Sequence, residues 1–277
     1  MQVRKFGGGL VAYDPEKVMA SVMKTGASRA DAEAVLASVQ PSLYEGMPTK
    51  ELYKLVHETL KGRSVCFACR YGLREALKKL GPAGFKFEKY VASILNAYNY
   101  VAFVPTTELQ GACVSHEVDV VAEKEGRRMF IEAKFRNDAR GVVSLKDIMA
   151  TWSRFIDLVD GGSVGKVDHF DECWVVTNAR FSDRARQFGE CKGMKLRGWG
   201  YPKEKSFGQM IDHQALYPVT VLDGLTAEEL EGLARNNIML CREVGEVEAE
   251  DLAQKINVRL DRAKELIELC DDVVGEE

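Results

Sequence analysis

The chain has 277 residues, 46% of them apolar and 29% charged, with a net charge of -4. These are ordinary globular values, so wholesale disorder and collagen-like structure are excluded, and at roughly 150 residues per domain the length suggests about two domains. No apolar run approaches the ~20 residues that span a bilayer, and the first residues lack the apolar stretch of a secretory signal. A soluble, cytoplasmic protein with no membrane partner is expected.

The net charge hides an asymmetry. Residues 222–277 hold 16 acidic and 6 basic side chains, whereas 180–205 holds eight lysines and arginines against three acids. A local basic face for nucleic acid is therefore compatible with an acidic whole chain. The seven cysteines are odd in number and scattered, which does not read as a disulfide framework. The one close pair, Cys66 and Cys69, reads as two small side chains on a helix.

From the N-terminus, Gly7-Gly8-Gly9 between two short apolar runs predicts a hairpin. Asp14 followed by Pro15 marks a helix start, and further helices are predicted over 28–39, from a cap at Thr49 to about residue 60, and over 64–80. Gly81-Pro82-Ala83-Gly84 ends this region. Val3, Lys5, the glycines, Tyr13-Asp14 and Lys17-Val18 resemble the opening of an ATP-cone, the nucleotide-sensing module of many ribonucleotide reductases. Gly46-Met47-Pro48-Thr49 and Ala68-Cys69-Arg70-Tyr71 stand where that family has matching segments, and Phe6 and Gly7 where it has a basic residue and an aspartate. The resemblance implies that Val3, Lys5, Lys17, Thr49 and Lys78 line a site for ATP or dATP. Ammonium groups around a glycine-rich turn suit a triphosphate, because glycine lets backbone N–H groups approach it.

The central region starts with a helix predicted over 85–98, whose apolar face carries one acid, Glu88. A buried carboxylate there needs a partner. A strand over 100–104 follows, then two strands over 116–122 and 128–135. A tight turn at Glu125-Gly126, with Gly126 taking a positive φ, sets Asp119 opposite Glu132 and Glu117 opposite Lys134. Glu132 and Lys134 then share one face, and Ile131, Ala133 and Phe135 take the other, toward the core. His116 and His169 lie nearby and read as structural. A helix from Ser144 or Lys146 to about 159, a buried strand over 173–177 and a helix over 181–191 complete the order. Arg180, at the start of that helix, is a candidate phosphate contact beside plain capping by Ser182. Trp199-Gly200-Tyr201-Pro202 reads as packing.

An acid followed by acid-x-lysine on adjacent strands resembles the PD-(D/E)xK nucleases. The run Gly84-Phe85, Phe87-Glu88, Val118-Asp119-Val120 and Ile131-Glu132-Ala133-Lys134 resembles the Mrr-like restriction endonucleases. The resemblance implies catalytic roles for Glu88, Asp119, Glu132 and Lys134. It also implies Mg²⁺ or Mn²⁺ held by Asp119, Glu132 and the Ala133 carbonyl, with DNA as substrate.

Beyond Leu222-Asp223-Gly224, helices are predicted over 226–235, 248–256 and 260–270, resembling a helix-hairpin-helix module with asparagines in place of its glycine. The expected architecture is multidomain α+β. It comprises a hairpin-plus-four-helix ATP-cone at 1–83, an α/β restriction-endonuclease-like core (αβββαβ) at 84–221 and a small helical module at 222–277. A homo-oligomeric, nucleotide-regulated endonuclease is the expected function. The competing expectation is a nucleotide-responsive DNA-binding regulator or oligomerisation module with an inert core, distinguished by divalent-metal binding of the parent protein and of Asp119→Ala.

Overall fold

A computed structural model describes residues 1–5, 7–80, 87–137 and 141–275. Phe6, the Gly81-Pro82-Ala83-Gly84 boundary and Phe85 lie outside the described residues.

In the N-terminal region, β1 (Gln2–Arg4) and β2 (Leu10–Ala12) form the antiparallel hairpin, with Val3 opposite Val11. Its turn closes through Lys5 N–H to the Gly9 carbonyl at 2.8 Å, and Gly8 takes φ 85°. Asp14 caps α1 (Pro15–Met23), accepting from the Glu16 and Lys17 N–H groups. A Ser28–Asp31 capping box starts α2 (Arg29–Val39). A short β3 (Met47–Pro48) runs parallel to β1 and leads into α3 (Thr49–Lys61). Thr49 is not the cap of this helix but its first residue; the extended residue before it is Pro48, whose ring fixes φ at -60°. Ser64 caps α4 (Val65–Lys78). Val22, Val35, Val56 and Leu60 fill the core between these elements.

The central region begins with α5 (Phe87–Ala97) and β4 (Val101–Phe103). A two-stranded excursion, β5 (Leu109–Gln110) with β6 (Ser115–His116), precedes the hairpin of β7 (Val120–Lys124) and β8 (Arg127–Lys134). The strand expected over 116–122 is thus broken at 117–119, because His116 pairs with Leu109 in a different sheet. Val120 faces Ile131 and Lys124 faces Arg127, the register the turn dictates. Glu125 as well as Gly126 is left-handed, φ 52° and 73°, the signature of a type I′ turn.

After β9 (Val142–Val143), α6 (Leu145–Ser163) crosses over to β10 (Glu172–Thr177). Then come β11 (Arg180–Phe181), α7 (Asp183–Cys191), β12 (Lys195–Arg197) and α8 (Phe207–His213). Phe181 lies in β11 and not in the helix expected to include it, and β12 and α8 fall where the sequence predicts no element. The sheet order is β12-β10-β8-β7-β4, parallel across β12, β10 and β8 and antiparallel from β8 to β4. Phe130, Val175, Ile148, Phe155 and Leu158 form the core on the α6 side, while Ile131 and Trp174 join a second core with α5 and α8.

That second core continues into α9 (Ala227–Arg235), α10 (Cys241–Gly245), α11 (Ala249–Ile256) and α12 (Leu260–Val274). Asn237 and Asn257, at φ 57° and 56°, supply the left-handed turns for which glycine is the usual choice. It also takes in Cys69, Leu73 and Leu77 of α4, whose Ala68 belongs to the N-terminal core. Arg70 on the same helix donates to the Val273 and Val274 carbonyls at 3.1–3.3 Å and to the Thr25 carbonyl at 3.3 Å. Its charge sits at the negative end of α12.

Candidate active site

The buried end of β8 concentrates the charge. Glu132 is 2% exposed and shares its face with Phe130, toward α6. An ionised carboxylate at such a position is costly unless paired. Two cations meet it: Lys134 Nζ at Oε1, and Arg154 Nη1 of α6 at Oε2, 2.6 Å away. The Arg154 guanidinium also lies 5.7 Å over the Phe130 ring, which holds it in place.

Asp119 stands immediately before β7 and reaches across the hairpin, where its Oδ2 accepts from the Ala133 N–H at 2.7 Å. Burial and the nearby Glu132 charge push its pKa up to about 6, against the pull of that hydrogen bond, Lys134 and Arg154. The strand end is braced from β10: Thr177 Oγ1 donates to the Lys134 carbonyl at 2.6 Å, and the Asn178 amide brackets Arg136 at 2.8 and 2.9 Å.

Asp119, Glu132, Ala133 and Lys134 are therefore brought together. Glu117 is exposed in the break before β7 and does not pair with Lys134. Glu88 is half-buried in the first turn of α5, which packs against β7 and β8. Arg154 was missed in the sequence. Its signal is a cation one residue from Phe155 in a helix whose buried stripe is Ile148, Thr151, Phe155 and Leu158. His116 Nε2 contacts Asp157 Oδ2 of α6 at 2.8 Å, and Asp157 also accepts from the Cys113 N–H at 2.9 Å. This network ties the β5–β6 excursion to α6.

Among the described residues no group of three or more His, Cys, Asp and Glu side chains converges as a metal cluster. What converges is an all-oxygen pair, Asp119 and Glu132. Only one Asp119 oxygen accepts a hydrogen bond among the described residues. That donor set suits a hard divalent cation whose remaining ligands are water or substrate oxygens.

Of the residues expected at a nucleotide site, Lys5 and Thr49 each follow directly on the paired β1 and β3 residues Arg4 and Pro48. Val3 is 5% exposed, in the N-terminal core. Lys5 is exposed at the hairpin turn, and Thr49 is half-buried at the start of α3. Lys17 and Lys78 pair locally, with Asp14 at 3.2 Å and Glu75 at 2.6 Å.

Comparison with known proteins places these elements. Residues 82–197 match the restriction endonuclease family, Mrr catalytic type, and 217–274 match the AF1548-like C-terminal family. An uncharacterised protein of Archaeoglobus fulgidus is 36% identical over 167 residues, 60% of this chain and 90% of that protein. The crystal structure of the protein of unknown function AF1548 superposes with a TM-score of 0.58 at 34% identity, over 68% of this chain and 96% of that one. The C-terminal helices thus match a family of their own. The chain belongs to the AF1548-like family, and in it the restriction endonuclease match precedes the AF1548-like C-terminal match.

Proposed function

We propose that the protein is a metal-dependent endodeoxyribonuclease that hydrolyses DNA phosphodiester bonds. The observation that carries this is the convergence of Asp119, Glu132 and Lys134 at one end of β8, inside a domain that matches restriction endonucleases. Asp119, Glu132 and the Ala133 carbonyl are the residues to hold Mg²⁺ or Mn²⁺. Such an ion supplies a more acidic bound water and offsets charge on the phosphate. Lys134 holds the attacking water and balances charge as that water gives a proton to solvent, its oxygen bonds phosphorus and the P–O ester bond breaks, the leaving alkoxide taking up a proton from solvent. Arg154 donates to Glu132 Oε2 and so fixes the carboxylate in place from α6. Glu88 is assigned a supporting role from α5.

The N-terminal region is proposed as an ATP- or dATP-responsive module acting through Lys5, Lys17, Thr49 and Lys78, with Val3 as hairpin core, in a homo-oligomer. The glycine turn at Gly8 and the exposed Lys5 and Lys17 support this reading. Glu132 already accepts from two cations, which favours a second reading, a DNA-binding core that no longer cleaves. One assay separates them: plasmid, single-stranded and branched DNA with Mg²⁺ or Mn²⁺, with and without ATP and dATP, for the parent protein and Asp119→Asn. Metal-dependent cleavage lost in Asp119→Asn is expected; no cleavage of any substrate would leave the second reading.

A further inference from the structure

A cavity of about 820 Å³ opens between the central sheet, the residues that follow α5, and α8. Sites for small molecules commonly measure about 300–1,000 Å³. The cavity lies on the sheet face away from the candidate catalytic residues. Its Trp174 packs with Ile131 on the α5 and α8 side, whereas Glu132 shares its face with Phe130, toward α6.

Four of its side chains form a row of cation, ring, ring and cation. Lys124 Nζ lies 4.6 Å over the Tyr100 ring, Tyr100 meets Trp174 edge-on at 5.9 Å, and the Arg197 guanidinium lies 5.2 Å over the Trp174 ring. Contacts behind the row hold it in place. Lys124 donates to the Tyr98 carbonyl at 2.9 Å, the Tyr98 hydroxyl to the Met210 carbonyl at 3.0 Å, and the Trp174 indole N–H to Glu172 at 2.7 Å. The Tyr98 ring, which also lines the cavity, enters no stacked or cation contact among the described residues.

The cations keep donors to give. Arg197 donates one N–H to the Leu196 carbonyl at 3.2 Å, and no carboxylate pairs with it among the described residues. Glu172, whose charge reaches Arg197, is already paired with Arg127 at 2.8 Å. Burial holds Arg197 below the usual arginine range. A half-buried guanidinium with spare N–H groups favours an anion that can take two of them at once. Lys205, exposed at the rim, adopts φ 141°, and its N–H is held by Gln209 Oε1 at 2.9 Å. Backbone strain of this kind in a residue other than glycine clusters at ligand clamps. Lys124, Arg197 and Lys205 stand against Glu204 and Asp212, and Asp212 accepts from the Tyr217 hydroxyl at 3.5 Å. One net positive charge suits a single phosphate at about -2 and falls short of the longer tail of a triphosphate.

We propose that this cavity binds a nucleoside monophosphate, its base against the Tyr98, Tyr100 and Trp174 rings and its phosphate on Arg197 and Lys205. Aromatic walls select the flat ring and the guanidinium selects the anion, so neither half of the ligand suffices alone. The site serves no step of phosphodiester cleavage and stands whether or not the protein is a nuclease.

The test is calorimetry together with tryptophan fluorescence in EDTA, which keeps divalent ions away from Asp119 and Glu132. The probes are AMP, dAMP, UMP, adenosine, inorganic phosphate and ATP. At least one monophosphate is expected to bind at one site per chain, about 10-fold or more tighter than adenosine, phosphate or ATP. Arg197→Gln is expected to weaken that monophosphate about 10-fold or more and to leave adenosine unchanged. Lys205→Ala, at an exposed position that does not threaten the fold, is expected to act in the same direction and less. Tyr98→Leu is expected to weaken the monophosphate and adenosine alike, whereas Tyr98→Phe keeps the ring and binds like the parent. Absence of heat and of any fluorescence change with all three monophosphates at millimolar concentration overturns the proposal. So does monophosphate binding that is the same in Arg197→Gln and Lys205→Ala as in the parent. Competition by ATP at equal strength refutes the match to a single phosphate. Displacement of the monophosphate by single-stranded or duplex DNA would assign the cavity to the polymer instead.

Discussion

Two hairpins, β1–β2 and β7–β8, are built alike and used differently. Both close on a left-handed glycine, Gly8 in one and Gly126 in the other, and both bring lysine close to the turn or strand end. In β7–β8 the charges are buried and each is held from a different element: Glu132 by Lys134 and by Arg154 of α6, Asp119 by the Ala133 backbone. In β1–β2 the apolar Val3 is buried while Lys5 and Lys17 stay in solvent. A buried charge tolerates one geometry, because each missing partner leaves an uncompensated ion. An exposed lysine tolerates many and adds little stability until a ligand arrives. The comparison predicts rigid, substitution-sensitive chemistry in β7–β8 and adaptable, ligand-dependent order in β1–β2.

The strongest way to break it is to empty the buried site. Asp119→Ala, Glu132→Ala and Lys134→Ala are each expected to lower DNA cleavage by about 10³-fold or more while circular dichroism stays that of the parent. A well-folded Asp119→Ala protein cutting at the parent rate would falsify the assignment.

Removing Arg154 tests the cost of burial. Arg154→Ala leaves Glu132 with one cation and is expected to lose about 2–3 kcal/mol of stability in urea denaturation. Adding Glu132→Gln in the same chain should recover much of that loss, because the buried charge goes with it. An additive double variant would show that Arg154 acts through packing on Phe130 alone.

The raised pKa of Asp119 gives a pH signature. The unfolded carboxyl titrates near 3.8 and the folded one near 6, so the fold binds the extra proton between those values. Stability from the protonated group is fully present below the lower value and is lost as pH rises through the upper one. In EDTA, Asp119→Asn is therefore expected to be about 1–2 kcal/mol more stable than the parent near pH 8 and equal to it near pH 3. Thermal melts across that range check the sign.

The smallest effect belongs to the other hairpin. Lys5→Ala with Lys17→Ala is expected to change stability by less than about 0.5 kcal/mol. Its consequence should appear only with ligand: loss of ATP or dATP binding in calorimetry, and of any nucleotide-induced change in assembly. Unaltered nucleotide binding by the double variant removes both lysines from the site, and absence of binding by the parent reduces the region to a scaffold.

Much of the local structure was legible. Asp14-Pro15, Ser28, Ser144 and Ser182 mark helix starts because each hydroxyl or carboxylate satisfies N–H groups that the first turn cannot. The register of β7 on β8 followed from the two-residue turn, since a period of two leaves no other pairing once the loop length is set. Asp119, Glu132 and Lys134 could be aligned by that arithmetic alone. Other features belonged only to the tertiary structure. Arg154 meets Glu132 across 22 residues of chain through a helix crossover, and no local pattern encodes such a contact. The break at 117–119 depends on His116 finding Leu109 and Asp157. The division of α4 between two cores, with Ala68 facing one and Cys69 and Leu73 the other, depends on α12 lying against it. Local rules act on neighbours within a turn or a strand pair, whereas which distant surface covers a face is decided when the apolar areas of the whole chain are buried together.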